Sequence, residues 1–485
     1  PPRSTLFPYT TLFRSYLNRV AMKLLRLTTT TFATLVLTLG STAIAIKSGL
    51  AETVRWGDER PATPGQSADL STAPRVNVDK PAELIPLYLR DKRIHGLKPL
   101  QELVDAAPAG SVLEIPPGSY AGPVRIAKPL IIDGGNRTTI DGGDKGTVVA
   151  LEGSGITIRN LAITGSGDSH DSDDACLNVR GHHNTVENLD IQDCLFGIDL
   201  KQSNRTVIRG NRIRSKPYAL GVRGDGLRLW YSHDNLIERN QMIDTRDTVA
   251  WYSHRNVFRG NIGRRSRYSI HFMFANDNIV EGNRFYDNAV GIYFMYMEGG
   301  VARNNIISHA TGATGMGLGF KEASSILLEN NEIIYCAVGI GSDLSPYQPD
   351  TTIQFKGNRF AYNGVAVKIL GAFGNNEFTG NLFEGNLADL ELSGRTEGER
   401  NRWSGNYFDT YEGFDIDHDG VGDTPHEDYA YADQLWMDIP EARFFMTSPI
   451  LELLNFLERL APFSSPNLQL KDERPRFQRQ MRSDT

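Results

Sequence analysis

A short alternation of apolar and polar positions closes on asparagine again and again along this chain. VIRGN ends at Asn211, LIERN at Asn240, VFRGN at Asn261 and IVEGN at Asn283. VARNN at Asn305, LLENN at Asn331, IQFKGN at Asn358, EFTGN at Asn381 and RWSGN at Asn406 continue the series, at spacings of 21 to 29 residues. Between them lie alternating runs such as GIDL, GIYF and AVKI, bounded by Asn, Gly or Asp. Period-two alternation in runs this short predicts strands, and the bounding residues predict turns. One unit has too little apolar surface to bury alone, so neighbouring units must stack. Three short strands per unit with asparagine corners predict an all-β fold, a right-handed parallel β-helix over residues 111–408. At about 4.8 Å per coil, roughly twelve or thirteen coils make a rod of about 60 Å.

Stacking turns sequence repeats into columns on the rod. Trp230-Tyr231-Ser232-His233 returns 21 residues later as Trp251-Tyr252-Ser253-His254. The registration predicts one column of Trp230, Trp251, Met273 and Met295, and a second of Tyr231, Tyr252, Phe274 and Tyr296. A third, at the corner, holds His183, Asn204, His233, His254, Asn276 and Glu298. Alternation points Trp230 and Met273 outward with Arg228 and His271. Two readings follow: a stabilising ladder, or a docking surface centred on Trp230 and Trp251, since outward Trp and Met are costly unless covered. Imidazole and thioether suit cuprous copper, which makes His233, His254, His271, Met273 and Met295 candidate ligands of a transient copper site.

The flanks differ from the repeat. PLQELVDAAPAG precedes the first strand, VLEIP, and predicts a helix within residues 92–110 that covers the open end of the rod. After the last coil, FDIDHDGVGDTPHED places Asp415, Asp417 and Asp419 at alternate positions, then Gly420 and Asp423. These match the first nine positions of a calcium loop, although the twelfth is His426, with Glu427 beside it, and no helix precedes. Residues 409–430 therefore read as a stand-alone loop for a structural calcium ion, or as an unliganded acidic turn. Residues 431–485 leave the repeat: Ser448 and Pro449 start a helix whose Ile450, Leu453, Leu454 and Leu457 share one apolar face. This is a C-terminal helical and extended tail that either docks another protein or caps the last coil.

Composition narrows the function classes. A net charge of −7 gives no basic footprint for nucleic acid. Residues 1–21 read as a non-native leader, because PPRSTLFPYTTLFRS resembles a translated sequencing adapter. Residues 22–45, from Met22 through Lys23, Arg26 and an apolar run to Ala43-Ile44-Ala45, read as a cleaved signal peptide, so the protein is expected in the periplasm. The Pro/Ser/Ala-rich residues 46–91 read as a flexible linker. Three cysteines cannot all pair. Cys194 and Cys336 lie several coils apart, and Cys176 is displaced from Cys194 along the strand path, so buried free thiols are expected. GDSHDSDDAC offers acid/base candidates in Asp168, His170, Asp171, Asp173 and Asp174. Asp168-Ser169-His170-Asp171 is similar to the Asp-Pro-His-Asp motif of mannuronan epimerases without its proline. A solvated loop is the other explanation. The second functional reading is accordingly a uronate-polymer lyase or epimerase, or a polysaccharide-binding protein.

Five stretches together resemble one family. LVDAAPAGSVLEIPPGSYAGPVRI, GDGLRLWYSHDNLIERN, YSIHFMFANDNIVEGNRF, NRWSGNYFDTYEGFDIDHDGVGDTPH and FFMTSPILELLNFLERLAPF are similar, in this order, to the NosD family of periplasmic accessory proteins for nitrous-oxide reductase. The resemblance spans about Leu97 to Pro475, apart from the Asp168–Asp174 insert. It implies a non-catalytic scaffold that works with an ABC-type ATPase and permease, a copper-chaperone lipoprotein and a copper-enzyme client. It also implies that the membrane is reached only through the permease.

Overall fold

The computed structural model describes residues 75–76, 96–371, 374–393, 400–430, 456–457 and 467–479. The described chain winds as a right-handed parallel β-helix of about thirteen turns. Three parallel sheets form its walls. The first runs from Val112–Glu114 to Arg402–Ser404, the second from Lys98–Pro99 to Tyr407–Phe408, and the third from Val124–Ile126 to Ala388–Ser393. Each strand pairs with its equivalents one coil away, so the sequence period becomes the sheet register. The helix Leu100–Ala106 buries Leu100 and Val104 against the open end. Its Gln101 side chain imitates a missing strand: Oε1 accepts the Arg125 N–H at 2.7 Å and Nε2 donates to the Arg125 carbonyl at 3.1 Å.

The corner asparagines form the ladder that the repeat predicts. Asn261 Oδ1 accepts both the backbone N–H of Asn240 (2.9 Å) and its side-chain amide (3.1 Å), and Asn261 in turn donates twice to Asn283. The second Nδ2 proton of Asn261 goes to the Ile237 carbonyl at 2.9 Å. Every polar atom of a fully buried amide is thus satisfied, which is the condition for burying it at all. The same pattern extends from Asn211 to Asn406. Inside, stacked rings fill the lumen: Phe272, Phe294 and Phe320 in one pile, Phe355, Phe378 and Trp403 in another.

Three expectations change. Cys176 and Cys194 form a disulfide, with Cα atoms 5.5 Å apart. Cys176 lies on the third-sheet strand Ala175–Val179 and Cys194 ends the second-sheet strand Asp190–Cys194. Both side chains are fully buried, so the bond crosses the interior at the corner rather than following a column. Cys336 is free and buried, and burial pushes its thiol up to about 11. The corner column begins with His182, not His183: Asn204 donates its N–H to His182 Nδ1 at 3.2 Å, whereas His183 takes the left-handed turn position. Within the expected linker, Arg75–Val76 pairs in parallel with Val112–Leu113. In the tail, read from the sequence as a docking segment or a cap on the last coil, Asn467–Asp472 is a strand of the first sheet, parallel to Arg402–Ser404 and antiparallel to His426–Ala430. The leader and signal segments lie outside the described residues, among which no helix is long and apolar enough to cross a membrane.

Candidate functional site

The outer face of the third sheet carries the predicted columns. Trp230 pairs with Trp251, Trp251 with Met273, and Met273 with Met295. The Trp230 and Trp251 rings meet edge to face at 4.7 Å. Tyr231, Tyr252, Phe274 and Tyr296 stack nearly parallel at 4.9 to 5.0 Å. All four of these aromatics occupy left-handed backbone, with φ between 46° and 53°. Bulky residues adopt that conformation at a cost, so the column holds its shape against local preference. Tyr231 and Phe274 remain 42% and 36% exposed, which leaves an aromatic edge open to solvent.

One column over, on the same face, His271 pairs with Val249 on one side and Tyr293 on the other. Its ring packs against those of Tyr268 (4.8 Å) and Tyr293 (5.8 Å), which also meet each other at 5.6 Å. Burial, with Arg267 nearby, pushes the imidazole down to about 4, so it is neutral at physiological pH. Its Nε2 is shut off from solvent and makes no hydrogen bond. Met273 and Met295 follow two positions along their strands. A third thioether joins them unforeseen: a Cβ at Gly319 or Gly341 would come within 2.9 and 2.8 Å of Met316 Sδ, so these glycines form a bare floor beneath it. Gly319 continues the column of His271 and Tyr293, which puts Met316 on this outer face as well. Its spacing in sequence gave no sign of this, because Met316 starts its strand one column earlier.

The predicted copper set therefore divides. His271, Met273 and Met295 share the sheet face. His233 and His254 do not face it; their rings stack at 5.1 Å in the corner ladder. His233 Nδ1 accepts the His254 N–H at 3.1 Å, and His254 Nδ1 accepts the Asn276 N–H at 2.9 Å. A neutral imidazole accepting at Nδ1 carries its proton on Nε2 and has no lone pair left for a metal. Both histidines stand in for ladder asparagines.

The acidic insert is bound into ion pairs. Asp168 meets Lys216 at 2.9 Å. Asp173 takes Lys201 at 2.7 Å and Arg228 at 2.8 Å. Burial opposes ionisation of Asp173, but these two cations outweigh it and hold the carboxyl below its usual range. Asp174 accepts the Ser169 N–H at 3.0 Å and the Ser172 hydroxyl at 2.8 Å. His170 packs edge-on against Phe196, with Nε2 3.3 Å from the Val222 carbonyl. Asp199 and Arg228 (2.8 Å) and Asp225 and Arg246 (2.8 Å) extend the charge network along the sheet.

At the far end, the carboxylates of Asp415, Asp417 and Asp419 converge to within 4.8 Å. Asp423 does not join them; its Oδ2 accepts the Ile416 N–H at 2.6 Å. His426 stacks on Phe408 at 4.2 Å, and Glu427 lies 3.5 Å from Lys471, so neither completes a twelve-residue calcium loop. Of the docking helix, Ile450, Leu453 and Leu454 lie outside the described residues, whereas Leu457 is helical and exposed beside Phe456.

Comparison with known proteins bears on the stripe. Residues 210–413 match the family described as "Periplasmic copper-binding protein (NosD)", and residues 146–265 match the "Right handed beta helix region". Over 377 residues the chain is 25% identical to a Pseudomonas aeruginosa protein named "Probable ABC transporter binding protein NosD", across 71% of this chain and 83% of that one. A Stutzerimonas stutzeri protein of the same name is 31% identical over 118 residues, 23% of this chain and 26% of its own. Among solved structures, the A-module of mannuronan C-5 epimerase AlgE6 from Azotobacter vinelandii superposes with a TM-score of 0.52 at 16% identity. It covers 64% of this chain and 95% of its own, a likeness of fold alone. His271, Met273, Met295 and Met316 fall inside the first match; the Asp415 loop begins just beyond it.

Proposed function

Because the chain belongs to the NosD family, we propose that it is an exported, non-catalytic scaffold for copper-site maturation in nitrous-oxide reductase or a related copper enzyme. Copper is cargo in this reading, held briefly and passed on. The observation that carries it is the unpartnered Nε2 of neutral His271 on the face that also bears Met273, Met295 and Met316. One imidazole and several thioethers are soft, neutral donors, a set that favours cuprous ion over harder divalent metals. His271 and Met273 share one strand while Met295 and Met316 come from the next two coils, and coils are about 4.8 Å apart, so a full close shell around one ion is not built in; this suits release.

Two exposed surfaces suit the proposed partners. An ABC-type permease and its ATPase anchor the rod at the membrane, with exposed Phe456 and Leu457 at the contact. A copper-chaperone lipoprotein delivers the ion, and the Trp230–Trp251 and Tyr231–Tyr296 columns are covered when it docks. The name given to the relatives, ABC transporter binding protein, supports the first of these contacts.

The test is cuprous titration of the reduced full-length protein against a His271→Ala, Met273→Leu, Met295→Leu variant. Uptake lost in the variant supports the reading, and equal uptake by both overturns it. For the carbohydrate-enzyme reading, the fold likeness is matched against an insert whose Asp168 and Asp173 are spent on Lys216, Lys201 and Arg228. Uronate-polymer turnover that disappears in His170→Ala would reverse the choice.

A further inference from the structure

We propose that Asp415, Asp417 and Asp419 hold a calcium ion that fastens the end of the β-helix to the strand returning from the C-terminal segment. Two independent observations carry this. First, carboxylate oxygens of the three residues lie within 4.8 Å of one another. Three like charges at that separation repel unless a cation sits among them. Second, Asp415 is only 8% exposed, and its Oδ1 is shut off from solvent with no hydrogen-bond partner. Its other oxygen accepts the Gly420 N–H at 3.1 Å, which fixes the carboxylate's orientation. A buried anionic oxygen without a donor is costly, and a cation in the cluster supplies what the protein does not.

The ligand chemistry selects the ion. All the converging atoms are hard carboxylate oxygens, which exclude a soft metal and suit calcium or magnesium. An irregular loop turned by Gly420 at φ 84° has the adaptable geometry calcium accepts, whereas magnesium demands a near-octahedral cage and keeps its water.

The loop's downstream residues give the ion its purpose. Gly422 donates to the Pro475 carbonyl at 2.8 Å, and Phe477 donates to the Gly420 carbonyl at 2.9 Å. Val421 bridges Arg476, whose N–H reaches the carbonyl of Asn406, the last ladder asparagine, at 2.8 Å. Whatever orders residues 415–420 therefore orders the seam along which residues 475–477 close the rod. The inference is independent of the copper stripe, which lies coils away.

The experiment is calorimetric titration of the EDTA-treated, full-length protein with calcium chloride, with a parallel magnesium chloride arm. A single calcium site is expected, with magnesium at least about tenfold weaker. The exposed pair variant Asp417→Asn, Asp419→Asn should fold, by circular dichroism, and lose calcium binding at least tenfold. Amide exchange at Gly422, Arg476 and Phe477 should slow when calcium is added to the unaltered protein. No calcium uptake, uptake unchanged in the variant, or magnesium binding as tightly as calcium overturns the site. Binding that leaves those three amides exchanging as before overturns the fastening.

Discussion

Asp472 ends the asparagine ladder by taking the place of one more asparagine. Its Oδ2 accepts the backbone N–H of Asn406 at 2.9 Å and the Asn406 side-chain amide at 2.8 Å. Its Oδ1 accepts from Gly405 and Arg474. A residue some 66 positions downstream thus does for the last coil what Asn406 does for the coil before it. Asp472→Ala leaves fully buried Asn406 donors unanswered and should lower unfolding free energy by about 1–3 kcal/mol in urea. Deleting residues 467–485 should cost more, because it also removes the strand that covers Arg402–Ser404. An unchanged midpoint in both would mean that the returning strand is dispensable to the rod.

The disulfide gives a second stability prediction. Cys176 and Cys194 close a loop with a sequence separation of 18 residues, which restricts the unfolded chain. A Cys176→Ala, Cys194→Ala variant should lose about 3 kcal/mol relative to the oxidised protein, and reductant should shift the parent but not the variant. Equal denaturation midpoints with and without reductant would refute a stabilising bond.

A pH dependence follows from His426. Burial pushes it down to about 4, with Asp472 opposing the shift. The folded state keeps the ring neutral where the unfolded chain, titrating near 6.5, already binds a proton. The contribution is complete above pH 6.5 and is lost as pH falls toward 4, up to about 3 kcal/mol. His426→Phe preserves the stack on Phe408 and should make the stability profile shallower between pH 6.5 and 4, leaving the slope that buried His271 contributes in both proteins. Carboxylates such as Asp173 and Glu281, held low by their arginine and lysine partners, act mainly below that window in both proteins. Parallel profiles for the two proteins would refute the assignment.

The outline was legible in the sequence because β-helix stacking converts period into position. Once Asn240, Asn261 and Asn283 are aligned, the neighbours Trp251, Met273 and Met295 align too, and the structure keeps that register. What one-dimensional registration cannot carry is contact between walls of the same coil. Cys176 and Cys194 meet across a corner, and Asp472 returns to the ladder over a gap with no repeat. Met316 reaches the stripe only because Gly319 and Gly341 leave room for it. The histidines failed differently. His233 and His254 have the chemistry of ligands, but their Nδ1 atoms are claimed by backbone amides, a fact fixed by ladder geometry rather than residue type. The acidic loop was read from spacing alone, which brought three of its four carboxylates together and could not foresee Asp423 turning to Ile416.

The aromatic column allows fold and function to be separated. Tyr252 stacks on Tyr231 at 4.9 Å and on Phe274 at 5.0 Å, yet its own backbone is left-handed at φ 49°. Replacing Tyr252 and Phe274 with asparagine forfeits stacking worth about 0.5–1.5 kcal/mol per pair. The same change relieves strain of about 1–2 kcal/mol per residue, since asparagine tolerates this conformation. Tyr252 also meets Trp230 and Trp251, so the stacking lost outweighs the strain relieved and the double variant should be less stable than the parent by about 2 kcal/mol. Its affinity for the soluble domain of the proposed partner, a copper-chaperone lipoprotein, should also fall at least tenfold by surface plasmon resonance, because Phe274 supplies exposed apolar area that asparagine cannot. A variant that melts early and binds normally would make the column a fold element and move the docking surface elsewhere on the rod.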